Sequence, residues 1–322
     1  MPDPVPILPP DFLDRLRRIV PAAQYEAVVA SFAAPQATGF RVNTLRAAVP
    51  AVVAALEAAG LRPRPVAWKP EAFTVAPEDR AALLASDAYA AGRIYVQNLA
   101  SMVPADVLGA RPGERVLDLC AAPGSKTLQL ACAMAGEGEL AAVEVVRSRF
   151  FKLRANLAAQ GAAFVRTYHQ DGTKAWRYRP AHFDRVLLDA PCSTEGRFRT
   201  DDPETFAYWS PRKIREMARK QRRLLFSAVQ CLRPGGVLVY STCTFAPEEN
   251  EAALDKALTT FGEALRLEPL GLDLPGMQPP LTGWGGRAFR HDLSEARRLL
   301  PSETMEAFFV AKLRKTAPTA RR

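Results

Sequence analysis

Two short segments of the 322-residue chain each place a cysteine directly after an apolar run. The first segment is DAPCS at 189–193, and the second is STCT at 241–244. The apolar runs before them have the composition of β-strands, and open α/β sheets bind ligands at the carboxyl ends of their strands. Because a thiolate is a strong nucleophile near neutral pH, Cys192 and Cys243 predict paired sulfur chemistry at one sheet edge. The alternative is that both are small buried side chains, a common environment for free cysteine.

A loop at 118–127 predicts a binding site for a nucleotide-like ligand. Its sequence, DLCAAPGSKT, ends a predicted strand and opens a predicted helix, as in the first unit of nucleotide-binding folds. It is not a P-loop, because Ser125 separates the glycine from the lysine and Ala121 stands where the first glycine belongs. A dinucleotide loop would need more glycines than Gly124. S-adenosylmethionine carries no phosphate and needs no such glycine series, so the loop favours it as the cofactor.

Three acidic residues follow successive predicted strands. Glu144 lies about twenty residues past the loop, where a carboxylate can accept hydrogen bonds from both hydroxyls of a ribose. Asp171 and Asp189 follow the next two strands. One such residue could be a helix cap, but three in succession predict a cofactor site.

Composition and charge narrow the class of protein. Lys and Arg total 43 against 34 Asp and Glu, and the net charge of +9 favours a polyanionic partner such as nucleic acid. Arg and Lys side chains are dense between 197 and 223, around a helix predicted at 211–232, and predict phosphate binding there; a solvated helix face is the alternative. Cysteine and histidine spacing predicts no metal site, and the lack of an apolar leader or membrane-length apolar run predicts a cytoplasmic protein without membrane contact. We also expect a monomer.

The order of the elements predicts an α/β fold with a doubly wound, mostly parallel sheet. Residues 1–95 are predicted to form a small α+β domain, residues 96–316 the cofactor-binding domain, and 317–322 a basic tail. A helical region is predicted over 81–108 with a break at Gly92, a helix begins near Pro247, and a late strand covers 306–313. Two other functions fit the cysteine positions less well. A nicotinamide-dependent oxidoreductase has no use for two cysteines at strand ends, and an RNA-binding protein without activity would not need Cys243.

Several segments together resemble the signature blocks of one enzyme family. The blocks at 118–127, 189–193 and 240–250 are similar to those of the RNA 5-methylcytosine methyltransferases of the Sun/nucleolar-protein family, whose bacterial members methylate 16S ribosomal RNA. RVNTL at 41–45 and VQNLASM at 96–102 resemble the family's amino-terminal region, so the resemblance covers nearly the whole chain. It implies a class I methyltransferase domain of Rossmann-like topology, preceded by an α+β domain that contacts RNA.

The resemblance also implies a role for individual residues. C5 of cytosine is a poor nucleophile, so a thiolate must first add to C6 and form an enamine. The nucleophile of the family corresponds to Cys243, and Cys192 corresponds to the cysteine that assists product release. Asp189 is implied to bond the cytosine edge, and Lys126 is the fourth predicted catalytic residue. The implied S-adenosylmethionine site comprises Cys120, Ala121, Ala122, Pro123, Gly124, Ser125, Lys126, Glu144, Arg149, Asp171 and Asp189.

The chain departs from the family pattern at several positions. Glu144 stands where Asp is common, and Ser302 and Ala307 lie where the family commonly has His and Gly. We expect no additional carboxyl-terminal RNA-binding domain. The resemblance implies ribosomal RNA as the substrate, with transfer RNA as the alternative, and these departures bear on which RNA is methylated.

Overall fold

A computed structural model describes residues 8–319 of the chain. The helices are α1 (Pro10–Ile19), α2 (Tyr25–Ser31), α3 (Val49–Ala58), α4 (Arg80–Ala85), α5 (Asp87–Ala90), α6 (Leu99–Leu108), α7 (Ser125–Ala133), α8 (Arg147–Ala159), α9 (Pro211–Cys231) and α10 (Glu251–Phe261). The strands are β1 (Thr38–Val42), β2 (Arg64–Val66), β3 (Lys69–Val75), β4 (Ile94–Val96), β5 (Arg115–Asp118), β6 (Glu139–Glu144), β7 (Arg166–His169), β8 (Phe183–Asp189), β9 (Leu232–Thr242), β10 (Leu265–Glu268), β11 (Met277–Gln278), β12 (Gly283–Trp284), β13 (Arg287–Ala288), β14 (Arg297–Leu299) and β15 (Phe308–Lys315).

The amino-terminal sheet is antiparallel and has the strand order β2-β3-β1-β4. Its apolar side chains pack against α3, and the Phe40 and Phe73 rings stack with centroids 5.7 Å apart. The predicted helical region over 81–108 is wrong at its centre, because Ile94–Val96 is a strand paired with β1. So short a strand has no readable periodicity, and its hydrogen bonds come from a partner distant in sequence. The predicted division at residue 95 falls inside this strand.

The large sheet confirms the predicted doubly wound fold. Strands β7, β6, β5, β8 and β9 lie in that order and are parallel, and β15 adds to β9 in the antiparallel direction. Helices α6, α7 and α8 pack on one face, and α9 and α10 pack on the other. Strands β6 and β7 follow β5 on one side of it, and the chain then returns to place β8 on the other side of β5. The loops after β5 and β8 therefore open at a topological switch point, which is where such folds bind ligands.

Helix α9 is the basic helix predicted at 211–232. Ser210 caps it by accepting a hydrogen bond from the backbone N of Lys213 at 3.1 Å, and Pro211 occupies the first turn. Its apolar stripe is buried, whereas most of its cations are exposed. Ile214, Met217, Leu224, Leu225 and Ala228 form this stripe.

Helix α10 begins at Glu251, later than the predicted start near Pro247. Residues 247–250 form a turn instead. The turn is held by buried side chains: the Tyr240 hydroxyl donates to the carbonyl of Glu249 at 2.5 Å, and Asn250 Nδ2 donates to the carbonyl of Thr244 at 2.8 Å. It ties the segment after Cys243 to the end of β9.

From residue 8 to residue 319, no helix is both long and apolar enough to cross a bilayer. The predicted basic tail at 317–322 is described only as far as residue 319.

Candidate active site

A cavity of about 810 Å³ opens at the switch point of the large sheet. Its walls include the loops that follow β5, β6, β8 and β9. The predicted site residues that line it are Cys120, Ala121, Ala122, Pro123, Ser125, Lys126, Glu144, Arg149, Asp171, Asp189, Cys192 and Cys243. Gly124 is not among the lining residues. It precedes α7 with φ of 109°, a left-handed conformation that favours glycine.

The two cysteines meet at one end of this cavity. Strands β8 and β9 are parallel neighbours with Asp189 opposite Ser241, so the loops that follow them lie side by side. The Sγ atoms of Cys192 and Cys243 are 3.4 Å apart, and both residues are half-buried. The contact with Cys243 and burial raise the pKa of Cys192 well above its ordinary value. Cys192 is therefore held as the thiol, and either sulfur can be the donor in the contact between the two.

An ion pair lies beside the cysteines. Lys126 Nζ is 2.7 Å from Asp189 Oδ2 and also donates to Ser101 Oγ at 2.6 Å. Ser241 Oγ donates to the other oxygen of Asp189 at 2.8 Å. The Lys126 side chain is 8% exposed and that of Asp189 is 28% exposed. The pair thus presents a carboxylate to the cavity and holds a positive charge directly behind it.

The acids predicted to hold a ribose and a base lie at the other end. Glu144 is buried, and its Oε1 accepts a hydrogen bond from the backbone N of Val146 at 2.8 Å. Asp171 accepts hydrogen bonds from the backbone N and hydroxyl of Thr173 at 3.0 and 2.8 Å. Burial raises the pKa of Asp171, but the Thr173 hydrogen bonds outweigh it and lower the pKa overall. Asp171 is therefore an ionised acceptor at neutral pH.

Arg149, predicted to bind the cofactor, lines the cavity and links two of its walls. Its Nη2 donates to the carbonyl of Ala122 at 2.6 Å, and its Nη1 lies 3.5 Å from Glu144 Oε2. The guanidinium therefore ties the loop after β5 to the carboxylate at the end of β6. Arg149 positions the predicted ribose acceptor.

Asp118 also lines the cavity, although the sequence analysis assigned it no role. Its Oδ2 accepts a hydrogen bond from Thr127 Oγ1 at 2.7 Å, while Oδ1 is buried and has no hydrogen-bond partner among the residues that the structure describes. Burial raises the pKa of Asp118 to about 7. Its place as the last residue of β5, one strand before Glu144, is a sequence signal for the same site.

These features fit S-adenosylmethionine. The cavity volume lies within the usual range for small-molecule sites. Carboxylates at the ends of β5 and β6 and after β7 supply acceptors for hydroxyl and amino groups, and one buried carboxylate oxygen still lacks a partner. In the described part of the chain, the His, Cys, Asp and Glu side chains form no group of three that could hold a metal ion.

The buried carboxyl group of Glu249 anchors the loop that contains Cys192. Glu249 Oε2 accepts hydrogen bonds from the backbone N of Ser193 at 3.1 Å and from Gln221 Nε2 at 2.7 Å. The same Gln221 nitrogen donates to the carbonyl of Pro191 at 3.0 Å. Burial raises the pKa of Glu249 to about 8. The backbone on both sides of Cys192 is therefore anchored to α9 and to the turn before α10.

A second buried carboxyl group joins the two cysteine loops. Glu195 Oε2 accepts hydrogen bonds from Thr244 Oγ1 at 2.8 Å and from the backbone N of Phe245 at 3.0 Å. The hydroxyls of Thr244 and Ser193 are 2.7 Å apart. The sequence predicted no role for Glu195 or Glu249, although Glu249 stands in the 240–250 block that carried the resemblance.

Two charged side chains complete the mouth of the cavity. Arg197 Nε lies 3.8 Å from Glu306 Oε2, and both residues line the cavity. The Glu306 charge raises the pKa of Arg197, and burial raises the pKa of Glu306. Arg197 was one of the cations predicted to bind phosphate, and the structure places it beside the cysteines.

A doubly wound sheet with a cofactor-sized cavity at its switch point is the fold of a class I methyltransferase, here with a small amino-terminal domain. The crystal structure of a methyltransferase homolog protein from Pyrococcus horikoshii superposes with a TM-score of 0.80 at 32% identity, over 96% of this chain and 100% of that chain. NSun6 from P. horikoshii with SFG shares the fold with a TM-score of 0.81 at 22% identity, over 96% of this chain and 99% of that chain.

Sequence comparison gives the particular family. Residues 105–314 match the model of the 16S rRNA methyltransferase RsmB/F family, and residues 8–99 match the N-terminal domain of 16S rRNA methyltransferase RsmF. The chain therefore belongs to the RsmB/F family. Ribosomal RNA small subunit methyltransferase F from Serratia proteamaculans is 39% identical over 96% of this chain and 63% of its own length. The protein of the same name from Cronobacter sakazakii is 40% identical over 96% of this chain and 64% of its own length. The chain thus spans just under two thirds of these relatives.

Proposed function

We propose that the protein transfers a methyl group from S-adenosylmethionine to C5 of a cytosine in 16S ribosomal RNA, through a covalent bond between Cys243 and C6. The observation that carries this proposal is the 3.4 Å contact of the Cys192 and Cys243 sulfurs, at one end of the cavity whose other end carries the cofactor acids. Membership of the RsmB/F family and the net charge of +9 support ribosomal RNA as the substrate.

S-adenosylmethionine, when bound, supplies a methyl group on a sulfonium. Glu144 would accept hydrogen bonds from its ribose hydroxyls, with Arg149 keeping that carboxylate in place. Asp171 would accept from the adenine amino group, and the loop at 120–126 would contact the rest of the cofactor.

The first step is addition of a thiolate to the base. The Cys243 sulfur forms a bond to C6, and the electrons of the C5–C6 double bond move toward C4 and N3. Asp189 meets the N3 and N4 edge, and the Lys126 ammonium 2.7 Å away stabilises the charge that develops there. C5 becomes the carbon of an enamine and would form the bond to the methyl group as the bond between that methyl group and the cofactor sulfur breaks, which leaves the cofactor as a neutral thioether. Cys192 keeps Cys243 reactive by donating its proton toward that sulfur rather than competing for C6.

The last step, after the methyl transfer, is elimination, and it uses the same sulfur pair. As the bond between C6 and Cys243 breaks, Cys192 gives its proton to the departing sulfur and takes the proton from C5 in exchange. The C5–C6 double bond is restored, and one proton is finally released to solvent. The raised pKa of Cys192 suits this role, because a thiolate of high pKa is a strong base.

Single cysteine variants test which cysteine forms the adduct and which one assists its elimination. Cys192→Ala should add to C6 and accept the methyl group but release the product slowly, so it should trap RNA in a complex that survives denaturing gel electrophoresis. Cys243→Ala should form no such complex and lose turnover, and the double variant should behave like Cys243→Ala. Cys231→Ala is the control, because Cys231 is buried at the end of α9 and does not line the cavity.

The position of the methyl group needs its own measurement. Bisulfite sequencing of 16S ribosomal RNA from a deletion strain, with and without the restored gene, should show one cytosine that depends on the protein. If Cys243→Ala traps RNA in a covalent complex and Cys192→Ala does not, Cys192 is the nucleophile and Cys243 assists product release. Wild-type protein that binds the cofactor but labels no cytosine would refute the proposed reaction.

A further inference from the structure

A second cavity, of about 340 Å³, lies on a different face of helix α9. Lys220 and Leu224 of this helix line the cofactor cavity, whereas Arg222, Arg223 and Phe226 line the second one. The remaining walls come from α10 and from the short helical segment after Asp171. The two cavities are therefore neighbours that share one helix.

The second cavity is strongly cationic. Its charged lining residues are Lys174, Arg177, Arg222, Arg223 and Lys256, all of them exposed. Within residues 8–319 no Asp or Glu lines the cavity, and none of these cations makes an ion pair within 4.0 Å. Asp171, which lines the cofactor cavity, interacts electrostatically with Lys174 and Arg223, and its partner Thr173 also accepts a hydrogen bond from Arg223 Nη2 at 3.4 Å. Cations gathered without counter-charges favour a polyanionic ligand.

An aromatic wall accompanies the cations. The rings of Phe226 and Phe261 stack with centroids 5.6 Å apart and an interplanar angle of 23°, and both residues line the cavity. Trp176 packs its ring edgewise on Phe226 at 5.8 Å. Cations beside aromatic faces are the combination that holds a nucleic-acid strand, because phosphates meet the charges while a base or ribose packs on the rings. An acidic protein surface would need no such rings.

We propose that this second cavity binds a backbone phosphate of the RNA strand, with an adjoining base or ribose against the Phe226 and Phe261 rings. The proposal rests on the proposed function, because the strand is the one whose cytosine enters the cofactor cavity. It extends the phosphate contacts expected on α9 to Lys174, Arg177 and Lys256, which lie far from the dense cationic segment in sequence. The RNA would then cross α9 and be held on both of its sides.

The test removes two cations from different helices. In Arg222→Ala/Lys256→Ala, each substitution deletes one charge of the cavity wall. The matched control is Lys152→Ala/Arg154→Ala, which deletes the same charges from exposed positions of α8, on the opposite face of the sheet. Filter binding of transcribed 16S ribosomal RNA over a range of salt gives affinity and its salt dependence, and thermal unfolding checks that both variants fold.

The cavity variant should bind RNA about tenfold more weakly near physiological salt, and its slope of log affinity against log salt should fall by about 1.4 to 1.8. The control should keep the wild-type slope. Equal losses in both variants, or no loss in the cavity variant, would overturn the proposal. A calorimetric titration with ATP distinguishes the source of the phosphate: ATP binding that the cavity variant abolishes, with RNA binding unchanged, would assign the cavity to free nucleotides instead.

The outcome can be separated from that of the proposed function. S-adenosylmethionine binding and methyl transfer to RNA are measured on the wild-type protein alone. If wild-type protein transfers no methyl group while the cavity variant loses RNA affinity as expected, the reaction is wrong and the RNA site stands. If methyl transfer occurs and the cavity variant binds RNA as the wild type does, the reaction stands and this site is wrong.

Discussion

The buried carboxyl group of Glu249 should make the protein less stable as pH rises. Its pKa is raised by burial from 4.5 to about 8, so the folded state holds a proton that the unfolded chain has lost at neutral pH. Between these two pKa values the folded state binds more protons than the unfolded state, and the free energy of unfolding therefore falls as pH rises. The loss continues until the pH passes the folded pKa.

Glu249→Gln removes this proton exchange while keeping a side chain of the same shape. From pKa values of 4.5 and about 8, the penalty that Glu249 imposes grows by about 2 kcal/mol between pH 6 and pH 8. Asp118, whose pKa is also raised, adds to the slope of wild type and variant alike, so it cancels in their difference. The stability of Glu249→Gln relative to wild type should therefore rise by about 2 kcal/mol over that interval.

Urea unfolding followed by tryptophan fluorescence at several pH values measures the difference. Glu263→Gln is the control, since Glu263 is exposed and should show the same pH dependence as wild type. A constant difference between Glu249→Gln and wild type would mean that Glu249 is ionised in the folded protein at neutral pH. The Cys192 loop would then be held by a charged group, contrary to the reasoning from burial.

Two further predictions concern the cofactor and the join between the cysteine loops. Glu144→Ala and Asp171→Ala should each weaken S-adenosylmethionine binding by about 1.5 to 3 kcal/mol in calorimetric titration, because each removes a charge-assisted acceptor; wild-type affinity in both would refute the cofactor site. Thr244→Val removes the hydroxyl that donates to Glu195 at 2.8 Å, so it should lower the free energy of unfolding by about 1 to 3 kcal/mol and slow adduct formation with cofactor affinity unchanged. An unchanged rate of adduct formation would show that this link does not position Cys243.

Local sequence was sufficient for the elements that carry the cofactor site. Helix α9 begins at the predicted Pro211 and ends one residue before the predicted end, because a capping serine and a proline in the first turn are local signals. The order of strands and helices was enough for the doubly wound sheet, and the switch point of that sheet follows from the order alone. For the same reason Glu144, Asp171 and Asp189 could be assigned to one sheet edge before any contact was known.

The tertiary structure decided which residues support that edge. Strand β4 exists because β1 supplies its hydrogen bonds, and Glu249 reaches the Cys192 loop across 56 residues of sequence. Lys256 and Arg222 share a cavity only because α9 and α10 pack on the same face of the sheet. Periodicity and motifs reflect only interactions between residues that are close in sequence. A carboxyl group buried between two loops, or cations drawn from separate helices, depends on strand register and helix packing, which no local pattern contains.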